Sequence, residues 1–227
     1  SWTPNLGAST ATPAPLNGAV RAYHNVGNGQ CFVGGNFNQP SNAIAFWDGS
    51  AWQHTGGEFW SSNSSANAIT EYEGDLYAAG RFDTMDGSVC LVVRREAHPA
   101  FPNIWVWNPI LFASPGAHDS EAFALEVHDG MLVMGGDFRD QNGLSNLVAY
   151  TGTEWVVLGD NTANGPVYAL ESRTSSTHPS KLFAGGEFTN IGSISPGIGD
   201  GPPLNTEKNL AVYQSGQWNQ SLGPADD

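Results

Sequence analysis

The chain has 227 residues, 40% of them hydrophobic and 28 of them glycine; this is enough apolar content for one substantial turn-rich domain and excludes a disordered chain. Twenty-two acidic against 8 basic residues give a formal net charge of −14, which repels phosphate backbones and anionic lipid and argues against nucleic acid or membrane insertion as modes of action. The sequence starts at Ser1 without methionine and shows no signal sequence or membrane-crossing apolar run, which reads as a mature product, secreted or held at a cell surface.

In chain order, Ser1-Trp2-Thr3-Pro4-Asn5-Leu6-Gly7 reads as a short strand, and Ala8 to Pro15 as a small, Pro-rich tether. Four similar units follow, spanning about 16–65, 66–120, 121–163 and 164–227. Each opens on a run with a central alanine: Val20-Arg21-Ala22-Tyr23, Asn67-Ala68-Ile69, Phe123-Ala124-Leu125 and Val167-Tyr168-Ala169-Leu170. A turn leads into an apolar run that ends in Gly-Gly-x-Phe or a near copy: Gly34-Gly35-Asn36-Phe37, Ala79-Gly80-Arg81-Phe82, Gly135-Gly136-Asp137-Phe138 and Gly185-Gly186-Glu187-Phe188. The phenylalanines are 45, 56 and 50 residues apart. An alternating third run comes next, as in Ile44-Ala45-Phe46-Trp47, then a tight turn, then a strand marked by Trp52, Trp107, Trp155 or Trp218.

Short apolar runs separated by Gly, Asn, Asp and Ser predict β-strands, and Asp-Gly and Asn-Gly steps such as Asp129-Gly130 supply the positive φ of tight hairpins. Four antiparallel strands per unit of this length match the dimension of a propeller blade. The order of strands, with Gly-Gly closing the second and Trp marking the fourth, resembles the kelch-like blade of the galactose-oxidase-type β-propeller repeat superfamily, from Leu16 to Gly223. The resemblance implies an all-β propeller of four kelch-like four-stranded blades plus an extra N-terminal strand. It does not imply galactose oxidase activity, because no motif here matches that enzyme's copper site of tyrosines, histidines and a cross-linked cysteine. The second unit departs from the pattern at Ala79 and at Arg94-Arg95.

The N-terminal strand copies the last strand of a unit, as Trp218 to Gly223 shows, and is a fifth such strand for four units. Three roles remain open for it: pairing on its own ring, a remnant of a preceding repeat, or completion of a neighbouring molecule's sheet by β-augmentation. Trp2 and Leu6 are its contact candidates.

Other candidate sites each have a plain structural alternative. Asp137, Asp140 and Asn142 space oxygen donors like a calcium loop, but lack a bidentate Glu at the right distance; the alternative is side chains bonding their own turn. The six histidines show no metal-ligand spacing, and no Gly-x-Ser-x-Gly, Walker or Rossmann signature occurs. Trp60, Phe101 and Trp105 fall outside the repeat period and are candidates for stacking on sugars or anchoring a protein; the last two belong to a long insertion, Arg94 to Asp119. Asn63 and Asn219 open glycosylation sequons, and Cys31 and Cys90 read as buried thiols or as a disulfide between units. The expectation is a non-catalytic extracellular module that binds itself or another extracellular protein and needs no cofactor, with calcium a weaker option. A glycan-binding lectin is the alternative, and a secreted enzyme with a site on the rim the third.

Overall fold

The computed structural model describes residues 15–55, 61–84, 86–98, 100–117, 119–140, 142–159, 162–174, 179–191 and 209–219; the side chains of 101–104 and 219 are not among them. The described residues form sixteen strands and no helix. They make four four-stranded antiparallel sheets. Sheet 1 contains β1 (Ala19–Gly27), β2 (Gln30–Asn36), β3 (Ile44–Trp47) and β4 (Trp52–His54). Sheet 2 contains β5 (Ser65–Tyr72), β6 (Asp75–Asp83), β7 (Val89–His98) and β8 (Phe101–Phe112). Sheet 3 contains β9 (Glu121–His128), β10 (Met131–Arg139), β11 (Ser145–Tyr150) and β12 (Trp155–Val156). Sheet 4 contains β13 (Val167–Arg173), β14 (Lys181–Gly186), β15 (Leu210–Gln214) and β16 (Gln217–Asn219). Every strand pairs with its sequence neighbour, so each unit of the sequence is one meander. The predicted N-terminal strand with Trp2 and Leu6, and Trp60, lie outside the described residues.

The turns follow the residue chemistry. Glu73-Gly74, Asp129-Gly130 and Ser215-Gly216 hold both central residues at positive φ, as a two-residue hairpin requires. The predicted insertion after Arg94 is not a separate loop. It lengthens the third and fourth strands of sheet 2 into a long hairpin, with Trp107 opposite Arg95, where the other sheets place Trp opposite an aromatic. Trp47–Trp52, Tyr150–Trp155 and Tyr213–Trp218 meet at 5.0–5.2 Å between ring centroids, the first pair edge-on and the others tilted.

The glycine pair explains the repeat. In all four sheets the first strand carries a β-bulge facing the two glycine positions: Arg21, Asn67, Phe123 and Tyr168 are the unpaired residues. At the second position, an added Cβ would fall 2.0 Å from the Ala19 carbonyl oxygen at Gly35, 2.0 Å from that of Ser65 at Gly80, 2.4 Å from that of Glu121 at Gly136 and 2.0 Å from that of Pro166 at Gly186. Backbone fills that space, so only glycine fits there. The first position faces the next sheet instead: a Cβ on Gly34 would sit 2.9 Å from the Ala66 Cβ, and one on Gly135 2.7 Å from Val167 Cγ1. Ala79 is accepted at the first position of sheet 2, where it and Ala122 share a fully buried cluster.

Consecutive sheets pack through three such clusters. Phe32, Ile44, Ala66, Ala78 and Val93 close sheet 1 on sheet 2. Tyr77, Ala79, Leu132 and Met134 close sheet 2 on sheet 3, and Val133, Val167, Leu182 and Ala211 close sheet 3 on sheet 4. The four signature phenylalanines are 1–4% exposed. Phe82, Phe138 and Phe188 join the cluster shared with the preceding sheet, and Phe37 the cluster on the corresponding face of sheet 1. Indole N–H groups tie the outer edges in the same direction: Trp107 donates to Thr55 Oγ1 at 3.0 Å, Trp155 to the Ile110 carbonyl at 3.2 Å and Trp218 to the Leu158 carbonyl at 2.7 Å. No comparable packing joins sheet 4 to sheet 1 among the described residues.

Gly185 predicts the opposite tolerance to Gly35 and Gly186. Gly35→Ala and Gly186→Ala force a first strand off its sheet and are expected to cost about 3 kcal/mol or more, the upper range of overpacking. Gly185→Ala, whose Cβ would meet nothing closer among the described residues than the Asn209 carbonyl oxygen at 3.7 Å, should change stability by less than about 0.5 kcal/mol. Urea unfolding of the three variants checks this.

Candidate interaction surfaces and buried polar sites

Exposed large hydrophobic side chains concentrate at the two ends of the sheet series. Val20 (49% exposed), Tyr23 (62%) and Val26 belong to β1, Tyr168 (45%) to β13 and Leu210 to β15; among the described residues only Trp105 joins them from an inner sheet. Their exposure follows from position. Val20 pairs with Gly35 as Ala66, Ala122 and Val167 pair with Gly80, Gly136 and Gly186, and those three are fully buried. Tyr23 holds the place of Leu125, which is buried against the preceding sheet. Sequence reasoning missed all five end residues, since each looks like an ordinary strand residue of its unit. The usable signal was their place in the first and last repeats.

A polar seam runs along the first strands. Arg21 Nη1 donates to Asn67 Oδ1 at 2.8 Å and lies 3.5 Å from Glu121 Oε1. Asn67 Nδ2 donates to that same oxygen at 2.7 Å and to the Ala122 carbonyl at 2.8 Å. Between sheets 3 and 4 the bulge residues are aromatic, with Phe123 and Tyr168 at 5.2 Å.

Trp105 stands on the long hairpin, 44% exposed, with the Arg95 guanidinium 4.4 Å from its ring and 5.0 Å from the Phe32 ring of sheet 1. Burial lowers the pKa of Arg95, so the two π faces replace part of its lost hydration. Beside it Arg94 bonds Glu96 at 2.5 Å, and that partner raises its pKa. Phe101 begins the same strand. A cleft of about 450 Å³ lies at the other end of this sheet, lined by Asp86, Ser88, Phe112 and Ser114 among others.

The calcium-like constellation is a turn. Asp140, 1% exposed, accepts the Asn142 and Leu144 backbone N–H groups at 2.8 and 2.7 Å through Oδ1 and the Asn142 amide at 3.3 Å through Oδ2. Asp137 and Asn142 are exposed. No three His, Cys, Asp or Glu side chains gather as a metal site among the described residues. Asp86 makes the corresponding turn in sheet 2, accepting from Thr84 and from the Ser88 N–H, which lower its pKa.

Cys31 and Cys90 are free, buried thiols in separate clusters, and burial pushes Cys90 up to about 12. Asn63 is exposed in the link between sheets 1 and 2, and the Asn219 side chain lies outside the described ones.

One grouping with the residue types of acyl-transfer chemistry was invisible in the sequence. His128 of β9 places Nδ1 2.9 Å from Ser172 Oγ of β13, while its Nε2 has Asp129 Oδ2 at 3.5 Å and no hydrogen bond. Glu126 accepts the Ser172 N–H at 3.3 Å. The imidazole is fully buried and meets Tyr213 edge-on at 5.9 Å. A serine nucleophile needs reach to substrate and a donor pair for the oxyanion; the histidine end of this pair is sealed between two sheets. The bond joins sheet 3 to sheet 4.

No family model matches the chain, and no curated protein matches it.

The buried histidine makes stability pH-dependent. Burial lowers its pKa, with Asp129 opposing more weakly. The neutral ring therefore contributes stability in full above the unfolded value of about 6.5, lost as pH falls through the lower folded value. Burial raises the pKa of Glu126, which acts in the opposite direction at lower pH. Urea midpoints between about pH 7 and 5 should fall more steeply for the native chain than for His128→Gln.

Proposed function

We propose that this chain is a non-catalytic, extracellular or cell-surface module of the kelch-like β-propeller type, acting through protein contacts that include contacts with itself. The carrying observation is the concentration of exposed large hydrophobics in the first and last described sheets: five of the six among the described residues are there. Four equivalent sheets, each packed on the next, support the blade reading. Repeats of this kind are not stable singly and use their surfaces for binding. A net charge of −14 disfavours phosphate-bearing partners.

Trp105 favours a second reading. An exposed indole braced by Arg95 is a platform on which a sugar ring can stack. Titration of monosaccharides and common polysaccharides against tryptophan fluorescence separates the two. The module reading expects no saturable response from the native chain or from Trp105→Ala. A saturable response that Trp105→Ala abolishes would establish the lectin instead.

A further inference from the structure

The cleft of about 450 Å³ at one end of sheet 2 holds a carboxylate that the fold uses on one oxygen. It lies between the turn joining β6 to β7 and the link that follows β8. Both walls are closed by their own hydrogen bonds. In the turn, Thr84 N–H donates to the Ser88 carbonyl and Gly87 N–H to the Thr84 carbonyl, each at 3.0 Å. In the link, Ala117 N–H donates to the Ser114 carbonyl at 3.0 Å, and Ser114 N–H to the Arg139 carbonyl of sheet 3 at 2.7 Å. A bridge between Ala113 and Asp140 ties the link to sheet 3 a second time. The cleft is therefore preformed, as binding sites on rigid frameworks usually are. In a four-stranded meander the second turn and the link to the next sheet lie at the same end, so the cleft opens among the loops, where such frameworks bind. Its chemistry is one-sided. Among the described lining residues Asp86 alone carries a charge. The Thr84 hydroxyl donates to Asp86 Oδ1 at 2.5 Å and the Ser88 N–H donates to the same oxygen at 3.0 Å. Both bonds fix the carboxylate and leave Oδ2 for a donor from outside. They also lower the pKa of Asp86, so the group is ionised at neutral pH. Phe112 brings a half-buried ring to the same cleft, and Ser88 an exposed hydroxyl.

We infer that this cleft receives a basic side chain of a partner protein, with Asp86 Oδ2 accepting from its guanidinium or ammonium group and Phe112 lying against its apolar stem. The inference rests on the interaction-module reading and gives the partner a chemistry. A fixed anion and an aromatic ring in one cleft suit a cation, and arginine above all, whose planar fork bonds a carboxylate and packs on a ring at once. A carboxylate or phosphate would find no cation among the described lining residues. The net charge of −14 acts in the same direction, drawing basic partners in at long range. One side chain held by one carboxylate binds weakly, so the partner's affinity comes from this contact together with others.

N-acetyl-arginine methylamide serves as the probe, and N-acetyl-norleucine methylamide as its uncharged counterpart. Each is titrated into the native chain in about 0.15 M salt, which screens diffuse surface charge, and amide chemical shifts are followed. The arginine compound should give saturable shifts at Val89, Ala113 and Gly116, and the norleucine compound none. Asp86→Asn keeps an oxygen that can accept both turn bonds, so its melting temperature should hold while the probe binds about tenfold more weakly or not at all. Glu154→Gln removes an exposed carboxylate outside the cleft and should bind the probe as the native chain does. Shifts spread over the surface, equal response to the norleucine compound, or an Asp86→Asn chain that binds like the native one each overturn the site. If Asp86→Asn lowers the melting temperature, the comparison of the two probes on the native chain still decides. None of those results touches the module reading; that reading fails separately, by saturable sugar binding lost in Trp105→Ala.

Discussion

The second glycine of each pair lies under a carbonyl oxygen of a bulged first strand, and the rest of each sheet is arranged around that approach. The oxygen would be 2.0–2.4 Å from any Cβ at Gly35, Gly80, Gly136 or Gly186. Such an approach lets the bulge displace Arg21, Asn67, Phe123 or Tyr168 out of register without opening the strand pair. It also sets the residue before the bulge against the preceding sheet, where Ala66, Ala122 and Val167 are fully buried. A constraint inside one sheet thus fixes how that sheet meets its neighbour.

Stability is carried between sheets. The largest buried side chains, among them Phe82, Phe188, Ile44, Leu132, Met134 and Leu182, belong to clusters contributed by two sheets. A lone four-stranded meander would leave both of its apolar faces in water, which explains why the unit occurs as a series. Trp107, Trp155 and Trp218 add a directional hydrogen bond at each outer edge. Val20 and Leu210, in the first and last described sheets, are exposed where their counterparts Val167 and Ile44 are fully buried.

Polar chemistry inside this framework is consumed by structure. Asp140 spends its carboxylate on its own turn, and Asn67 and Glu121 bond across sheet boundaries. His128 and Ser172 bond across the boundary of sheets 3 and 4, and the imidazole is fully buried. Arg95 exchanges hydration for the faces of Phe32 and Trp105.

Spacing along the chain was sufficient for the number of units, the strand order within each and the hairpin turns. Those features depend on hairpins whose partners are a few residues apart, and local residue chemistry specifies such pairings. The sequence also placed Ala79 where the other units have the first glycine, though not why it fits there. Only the tertiary structure decided that Val20 is exposed while Val167 is buried, that His128 meets Ser172, and that Arg95 lies between two aromatic rings. Each depends on which sheet stands on the other side, through contacts between residues that lie tens of positions apart. The pattern within a repeat cannot encode them, because identical positions acquire different neighbours at the middle and at the ends of the series.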